Sequence, residues 1–299
     1  MGELAALLTS VCWALTSIQL ALAGRRVGSE VVNRTRLVLA VVYISLSHLV
    51  VQGRLWPSSV EPFRWGWLGL SGTVGLVVGD GCLFQSFLLI GTQRAMLMMT
   101  LVPVISALVA WGWLGETLLP AEIAAVLLTV GGIAWVVSEK RRGRAGPTSA
   151  GDTRRYGLGL LLGFGGALGQ ALGLVAAKRG LTGDFSSLSA TLIRMVVATG
   201  VIWLLALVRG QVRASWRALG DRKALWLLLG GSLVGPFLGV WLSMVAIQRA
   251  PVGIASTLMA LSPIVLIPLE RWLFKERASS RSVVGTVLAV VGASVIFLI

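Results

Sequence analysis

The sequence predicts an all-α integral membrane protein of ten transmembrane helices, built as two inverted five-helix repeats around a central cavity. Three observations carry this. Of 299 residues, 56% are hydrophobic and only 13% charged, with a mean hydropathy of +0.86. A soluble domain of this size needs more charge to cover its surface, so the apolar excess faces lipid. The apolar residues fall into ten runs of helical length, and the second five runs echo the first five.

The runs lie at about 4–23, 33–52, 65–90, 95–114 and 119–138, then at 156–177, 187–208, 224–248, 251–273 and 282–299. Crossing the hydrocarbon core takes about 20 apolar residues per helix. In lipid each span must satisfy its own backbone hydrogen bonds, which leaves helix as the conformation, because the short alternating strands of a barrel are absent. The polar stretch from Glu139-Lys140-Arg141-Arg142 to Arg155, rich in Gly, Pro, Ser and Arg, reads as a solvated linker between the two sets. The expected organisation is therefore a first repeat at 1–138, a basic linker at 139–155 and a second repeat at 156–299.

The echo runs at a constant offset of 160 residues from the third run onward. Gly75 matches Gly235, Gly79 matches Gly239, Ala95 matches Ala255, Pro103 matches Pro263, Glu116 matches Glu276 and Gly132 matches Gly292. The earlier runs agree at an offset of 158, where Arg36 matches Arg194. Pro and Glu matching together at one spacing indicate an internal duplication. An odd number of helices per repeat makes the second copy cross the membrane in the opposite sense. Inverted repeats are a transporter architecture, with the substrate site near the midplane where the repeats meet.

The net charge of +14 does not indicate a nucleic-acid partner, because the Lys and Arg residues lie mostly between apolar runs, where topology signals belong. One set of loops (24–36, 91–94, 139–155, 209–223, 271–281) holds 20 of them and the opposite set holds 5. The basic side is expected in the cytoplasm, with both termini outside, in a multi-pass protein of the cell (inner or plasma) membrane. Met1-Gly2-Glu3-Leu4 lacks the basic start of a signal peptide, and Ala6 stands where a myristoylation motif needs Ser or Thr. Cys12 and Cys82 sit inside apolar runs without metal-type spacing and read as packing residues.

Asp80 is the most informative polar residue. It lies about ten residues, or ~15 Å, from the end of the third run. A carboxylate at that depth costs about 2.5–3.5 kcal/mol on insertion scales, so it should face a cavity or a partner. It is a candidate for contact with a substrate amine or for proton coupling. Alternatively, Gly79-Asp80-Gly81 breaks the helix and Asp80 caps the following half. Its counterpart in the second repeat is Val240, so a charge-based role is asymmetric. Arg36 and Arg194 stand near the starts of their helices, able to bind an anionic group, snorkel to the interface or pair with Asp80. Gln19, Gln85, Thr100, Gln170 and Ser243 offer neutral contacts within spans, although most such groups hydrogen-bond between helices. Trp13 and Trp241 lie inside spans and suit a cavity wall, whereas Trp56, Trp65, Trp67, Trp111 and Trp113 read as an interfacial belt. Arg94 reads as an interfacial anchor and His48, the single histidine, as a packing residue.

Glycines spaced by four at 75/79, 165/169/173 and 231/235/239 allow close helix approach, while Pro103, Pro236, Pro263 and Pro268 bend helices or free carbonyls. Glu116 and Glu276 each follow a span and precede the next helix, where a carboxylate can satisfy the N–H groups at its start.

Arg94-Ala95 through Leu101-Val102-Pro103, then Leu114-Gly115-Glu116-Thr117-Leu118, resembles the drug/metabolite transporter superfamily of the EamA-domain type. Ala250-Pro251 through Leu261-Ser262-Pro263, then Phe274-Lys275-Glu276-Arg277, is similar, with Lys275 in place of Gly115. The resemblance covers essentially the whole chain. It implies a cavity lined by helices 1–4 and 6–9, with helices 5 and 10 peripheral. It also implies cytoplasmic termini, the reverse of what the charge count gives.

The expected activity is secondary transport of small metabolites or drugs, export more than import, with no cofactor, in a monomer or homodimer surrounded by membrane lipids. With no nucleotide-binding loop, energy comes from an ion gradient, exchange or the substrate's own gradient. A flippase for lipid-linked molecules would use the same architecture. A membrane-embedded enzyme needs a cluster of acid–base groups that one His and one deep Asp do not supply.

Overall fold

A computed structural model describes residues 1–58, 60–137, 150–218, 220–262, 264–265, 284–285, 287–292 and 295. Among them there is no strand. Helices α1 (Gly2–Val27) and α2 (Ser29–Gln52) form the first two long elements. Gly28 alone joins them with φ 87°, a backbone conformation that only glycine adopts without strain. The next helix is continuous over Pro62–Ile90 but changes character along its length. α3 (Pro62–Ser71) passes into a wider π-helical segment, Gly72–Gly79, and returns to regular helix as α4 (Asp80–Ile90). Asp80 has right-handed helical angles and makes no capping bond, so the break expected at Gly79-Asp80-Gly81 is a widening instead.

Beyond the one-residue turn at Gly91 come α5 (Thr92–Met99) and α6 (Val102–Leu114). They replace the single span expected at 95–114, because the chain turns at Thr100–Leu101 and Pro103 then sits in the first turn of α6, the position where its missing N–H costs least. α7 spans Pro120–Val137. α8 runs from Ala150 to Gly180, so residues 150–155, read from sequence as linker, are helical. No proline follows Pro147 until the span is complete, and a helix loses nothing by extending its polar end into water. α9 (Ser187–Val208), α10 (Val212–Ala218) and α11 (Arg222–Ser232) follow. A second π-helical segment, Leu233–Gly239, leads into α12 (Val240–Arg249), and α13 spans Val252–Met259.

Among the described residues six helices are long and apolar enough to cross a membrane: Gly2–Val27, Ser29–Gln52, Pro62–Ile90, Arg154–Gly180, Ser187–Val208 and Arg222–Arg249. Val102–Leu114 and Pro120–Trp135 are shorter apolar helices. Residues 266–273 of the run expected at 251–273 and half of the run expected at 282–299, together with Pro263, Pro268, Glu276 and most of the 139–155 linker, lie outside the described residues.

Packing joins the two halves reciprocally. α8 lies along α3, the first π-segment and α4, while α1 lies along α11, the second π-segment and α12. α2 packs on α9 and α6 on α13. The glycine rows make these approaches possible. A methyl on Gly169 would stand 2.7 Å from Gly79 Cα, and one on Gly173 2.9 Å from Gly75 Cα. Large apolar side chains such as Leu46, Leu108, Leu161 and Leu204 remain exposed around the outside, a surface that only lipid covers favourably. Trp56 stacks on Trp65 at 5.5 Å and Trp67 meets Trp113 edge-on at 5.3 Å, grouping four of the five belt tryptophans at one end of the bundle.

Candidate functional site

The reciprocal packing leaves a cavity between the halves, about 1000 Å³ of space not filled by atoms, its mouth included. α1 contributes Trp13, Thr16, Ser17 and Leu20, and α2 contributes Arg36. The first π-segment and α4 supply Leu76, Asp80, Leu83, Phe84 and Phe87. Met96, Met99 and Gln170 line it on further sides, with Arg194, Pro236, Val240 and Ser243 from the second half. The wall is mostly apolar and its few polar groups converge.

Asp80 and Arg36, 6% and 4% exposed, form an ion pair through Arg36 Nη2 and Asp80 Oδ2. Gln170 Nε2 donates to the other carboxylate oxygen, Oδ1. Arg36 is held in turn by Asn33 Oδ1, which accepts from Nε at 2.9 Å and Nη2 at 2.7 Å, and its guanidinium lies 4.8 Å from the centre of the Phe84 ring. Local backbone geometry explains why these groups meet here. Changing between i−4 and i−5 bonding disturbs the carbonyl ladder at the end of a π-segment. Side chains of neighbouring helices take part of it over: Leu76 O accepts from Asn33 Nδ2 at 3.2 Å and Arg36 Nη2 at 3.4 Å, and Gly75 O from Gln170 Nε2 at 3.4 Å.

Arg194 is 1% exposed and lines the cavity beside this network. Its Nη1 has only the Met244 sulfur at 3.7 Å, its Nε has no hydrogen-bond partner, and no carboxylate lies within ion-pair distance among the described residues. It fits because Gly72 and Gly75 face it: a methyl at Gly72 would come 2.3 Å from Arg194 O, and one at Gly75 2.8 Å from Nη2.

Of the residues singled out from sequence, Asp80, Arg36, Arg194, Gln170, Trp13 and Ser243 line this cavity, whereas Gln85, Trp241 and Thr100 do not. Gln85 lies five residues from Asp80, well round the helix, where it is exposed and accepts a 2.7 Å bond from Ser29 Oγ. Trp241 turns away from the wall that Val240 faces and stacks on Phe237 at 6.2 Å. Thr100 is buried at the turn between α5 and α6. Gln19 is also off the wall, with Oε1 buried near Gly231. His48 is buried, with Nε2 3.0 Å from Ser189 Oγ and Nδ1 against Arg54 O. Arg94 lies 5.1 Å from the Tyr156 ring.

Glu116 corrects the expected cap. It does not serve the start of α7, where Glu122 accepts from Leu119 N–H at 2.6 Å. Glu116 Oε2 instead accepts the Val252 N–H at 2.8 Å, at the start of α13 in the other half, and Oε1 pairs with Lys178 at 3.3 Å. Asn33, Phe84, Phe87, Met96 and Met99 escaped the sequence reading. The signal for Asn33 was available: it stands three residues before Arg36 on the same helix, close enough for their side chains to meet. Among the described residues no three His, Cys, Asp or Glu side chains gather as metal ligands.

Apolar helices of spanning length around a mostly apolar cavity with a buried ion pair define a multi-pass membrane protein, and comparison with known proteins gives its class. The EamA-like transporter family model matches residues 1–138 and 157–298, and the chain belongs to that family. A protein of Erwinia tasmaniensis (strain DSM 17950) described as "Probable 4-amino-4-deoxy-L-arabinose-phosphoundecaprenol flippase subunit ArnE" is 38% identical over 78 residues, 25% of this chain and 70% of that one. A solved structure described only as a crystal structure of a protein shares the fold at a TM-score of 0.72 and 19% identity, covering 99% of this chain and 96% of the other.

Proposed function

We propose that this chain is a secondary transporter that carries small metabolites or drugs, as an exporter, by alternating access through the cavity between its halves. It does so as ten helices in two inverted five-helix repeats, 1–138 and 156–299, joined by the basic linker 139–155. The observation that carries the reading is a cavity walled by both halves with the Arg36–Asp80 pair buried in it. Intramembrane ionisable groups of this kind mark substrate and ion pathways. The duplicated spacing, the reciprocal packing and the family all support the repeat architecture.

Leu20, Phe87 and Met96 bring the cavity towards the helix ends beside Arg25, Arg26 and Arg94, on the basic and hence cytoplasmic side of the cell membrane. Polar ties fasten the opposite ends: Glu116–Lys178, His48–Ser189 and Arg64 Nη1 to Thr182 O at 2.8 Å. The basic end is tied across the halves as well, by Arg26–Asp221 at 2.8 Å and by Arg34 Nη1 to Gln211 Oε1 at 2.6 Å. Asp80 is the coupling or recognition carboxylate, because a proton or cation arriving there competes with Arg36. The test is counterflow of a ligand found by thermal-shift screening, in proteoliposomes with and without a pH gradient. Asp80→Asn should lose the pH dependence of transport. Unchanged rate and pH dependence in this variant would overturn the role of Asp80, and absence of any counterflow would overturn the transporter reading.

One observation favours a second reading, a flippase for lipid-linked molecules: the ArnE-like relative is named for a phosphoundecaprenol-linked sugar. Vesicles in which a polyprenyl-phosphate sugar becomes accessible to an external phosphatase only when the protein is present would select it.

A further inference from the structure

We infer that the ligand of this cavity is an amphipathic anion whose phosphate or carboxylate pairs with Arg194. The inference rests on the transport reading above and names its substrate class. Formal charge in the wall is two guanidinium groups against one carboxylate. Asp80 is already engaged on both oxygens, by Arg36 and Gln170. Arg194, 1% exposed, is left with only a thioether sulfur on Nη1 and nothing on Nε. Burying an ion without a partner is costly, and a chain keeps one where something supplies the partner.

The geometry is prepared for an incoming group rather than merely tolerant of a cation. Gly75 clears the space against which the guanidinium lies, and Gly72 the space taken by the Arg194 backbone and Cγ. Asp80 and Arg36 sit close enough to act on Arg194 electrostatically, and with two guanidinium groups against one carboxylate the wall keeps a net positive charge that draws an anion. A guanidinium presents parallel N–H donors that match two oxygens of a phosphate or carboxylate. The rest of the wall explains the second half of the ligand. Leu83, Phe84, Phe87, Met96 and Met99 line the cavity with aromatic and thioether surface that suits a hydrocarbon or ring. A cationic ligand would have to displace Arg36 from the single carboxylate and would meet the like charge of Arg194 beside it. A wholly neutral ligand would leave Arg194 as it is.

Thermal unfolding of the full-length purified protein against size-matched probes tests this: hexyl phosphate, hexanoate, hexanol and hexylamine. A ligand of the native state raises the midpoint in proportion to its occupancy. The phosphate and carboxylate should give dose-dependent shifts, and the alcohol and amine should not. Arg194→Gln should weaken phosphate binding by about 10–100-fold, the loss of a charge-assisted pair, while Arg194→Lys keeps part of it. Should Arg194→Gln fail to fold, the wild-type probe series still decides. A shift from hexylamine or hexanol with none from the anions would overturn the anionic class, and so would silence from every probe. A shift confined to a long polyprenyl phosphate supports the anion and assigns it to a lipid; equal shifts from the short soluble anions assign it to a soluble metabolite. Counterflow of a neutral or cationic solute would sink this inference and leave the transport reading standing.

Discussion

Adding one methyl group at Gly169 tests how α8 meets the first π-segment. The new carbon would lie 2.7 Å from Gly79 Cα, 3.0 Å from Val74 O and 3.1 Å from Gly79 N. Carbon atoms in contact settle at about 3.5–4.0 Å, so the helices must part by ~1 Å. The opposing atoms are all backbone and cannot rotate away. Overpacking typically costs about 1–3 kcal/mol, and this geometry belongs in the upper part of that range. Alanine returns roughly 0.5–1 kcal/mol through its better helix propensity. The net loss is then about 1–2 kcal/mol, or about 2–8 °C in Tm at the ~2–4 °C per kcal/mol of a chain this long. Gly165 provides the control on the same helix: its added methyl would sit 3.6 Å from Cys82 Sγ, an ordinary contact. Gly165→Ala should leave Tm unchanged or raise it by a few degrees, following propensity alone. Intrinsic tryptophan fluorescence during heating in detergent reads both. Equal Tm values for the two variants would refute the close-packed interface.

The Arg36–Asp80 pair should show itself in a double-mutant cycle. Asp80→Asn alone strands a buried guanidinium at a cost of about 3–5 kcal/mol, so adding Arg36→Gln should recover about 1–3 kcal/mol of it; strictly additive Tm losses would show that the two groups do not interact. At Glu116, the bond to Val252 N–H outweighs the partly exposed pair with Lys178, because exposed ion pairs contribute at most about 1 kcal/mol. Glu116→Gln should therefore keep most of the stability that Glu116→Ala loses, about 1–2 kcal/mol for a lost cap, and equal losses would reverse that ranking.

The long spans were legible because crossing lipid demands runs of apolar residues, and such runs need no partner to be recognised. Arg36, Asp80 and Gln170 stood out for the same reason, as polar groups at a depth where polarity is expensive. What stayed hidden depended on neighbours. Nothing in Gly72–Gly79 itself distinguishes a widened helix from a broken one. The widening is stable because Asn33, Arg36 and Gln170 from two other helices donate to its carbonyls. The role of Glu116 was hidden likewise, since its N–H partner lies 136 residues along the chain. Gln85 and Trp241 show the opposite error: a polar or aromatic residue inside a span is no evidence of which way it faces until the helix rotation is known.

The two π-segments explain how a duplicated backbone can carry an unduplicated site. They occupy matched positions, Gly72–Gly79 and Leu233–Gly239, and each lies against the first helix of the opposite half. In the second copy Pro236 stands inside the segment, and a residue without an N–H forces the bonding ladder to change there whatever surrounds it. The first copy has Leu76 at that position, so its widening must be held from outside, by the amide and guanidinium groups that bond its carbonyls. Arg36, and Gln170 on Gly75 O, also hold Asp80. In the second copy the residue after the segment is Val240, which asks for no partner. The charged side chains of the first half thus maintain the shape of the helix that presents them. Replacing Arg36 or Asp80 would alter the backbone of the cavity wall as well as its charge.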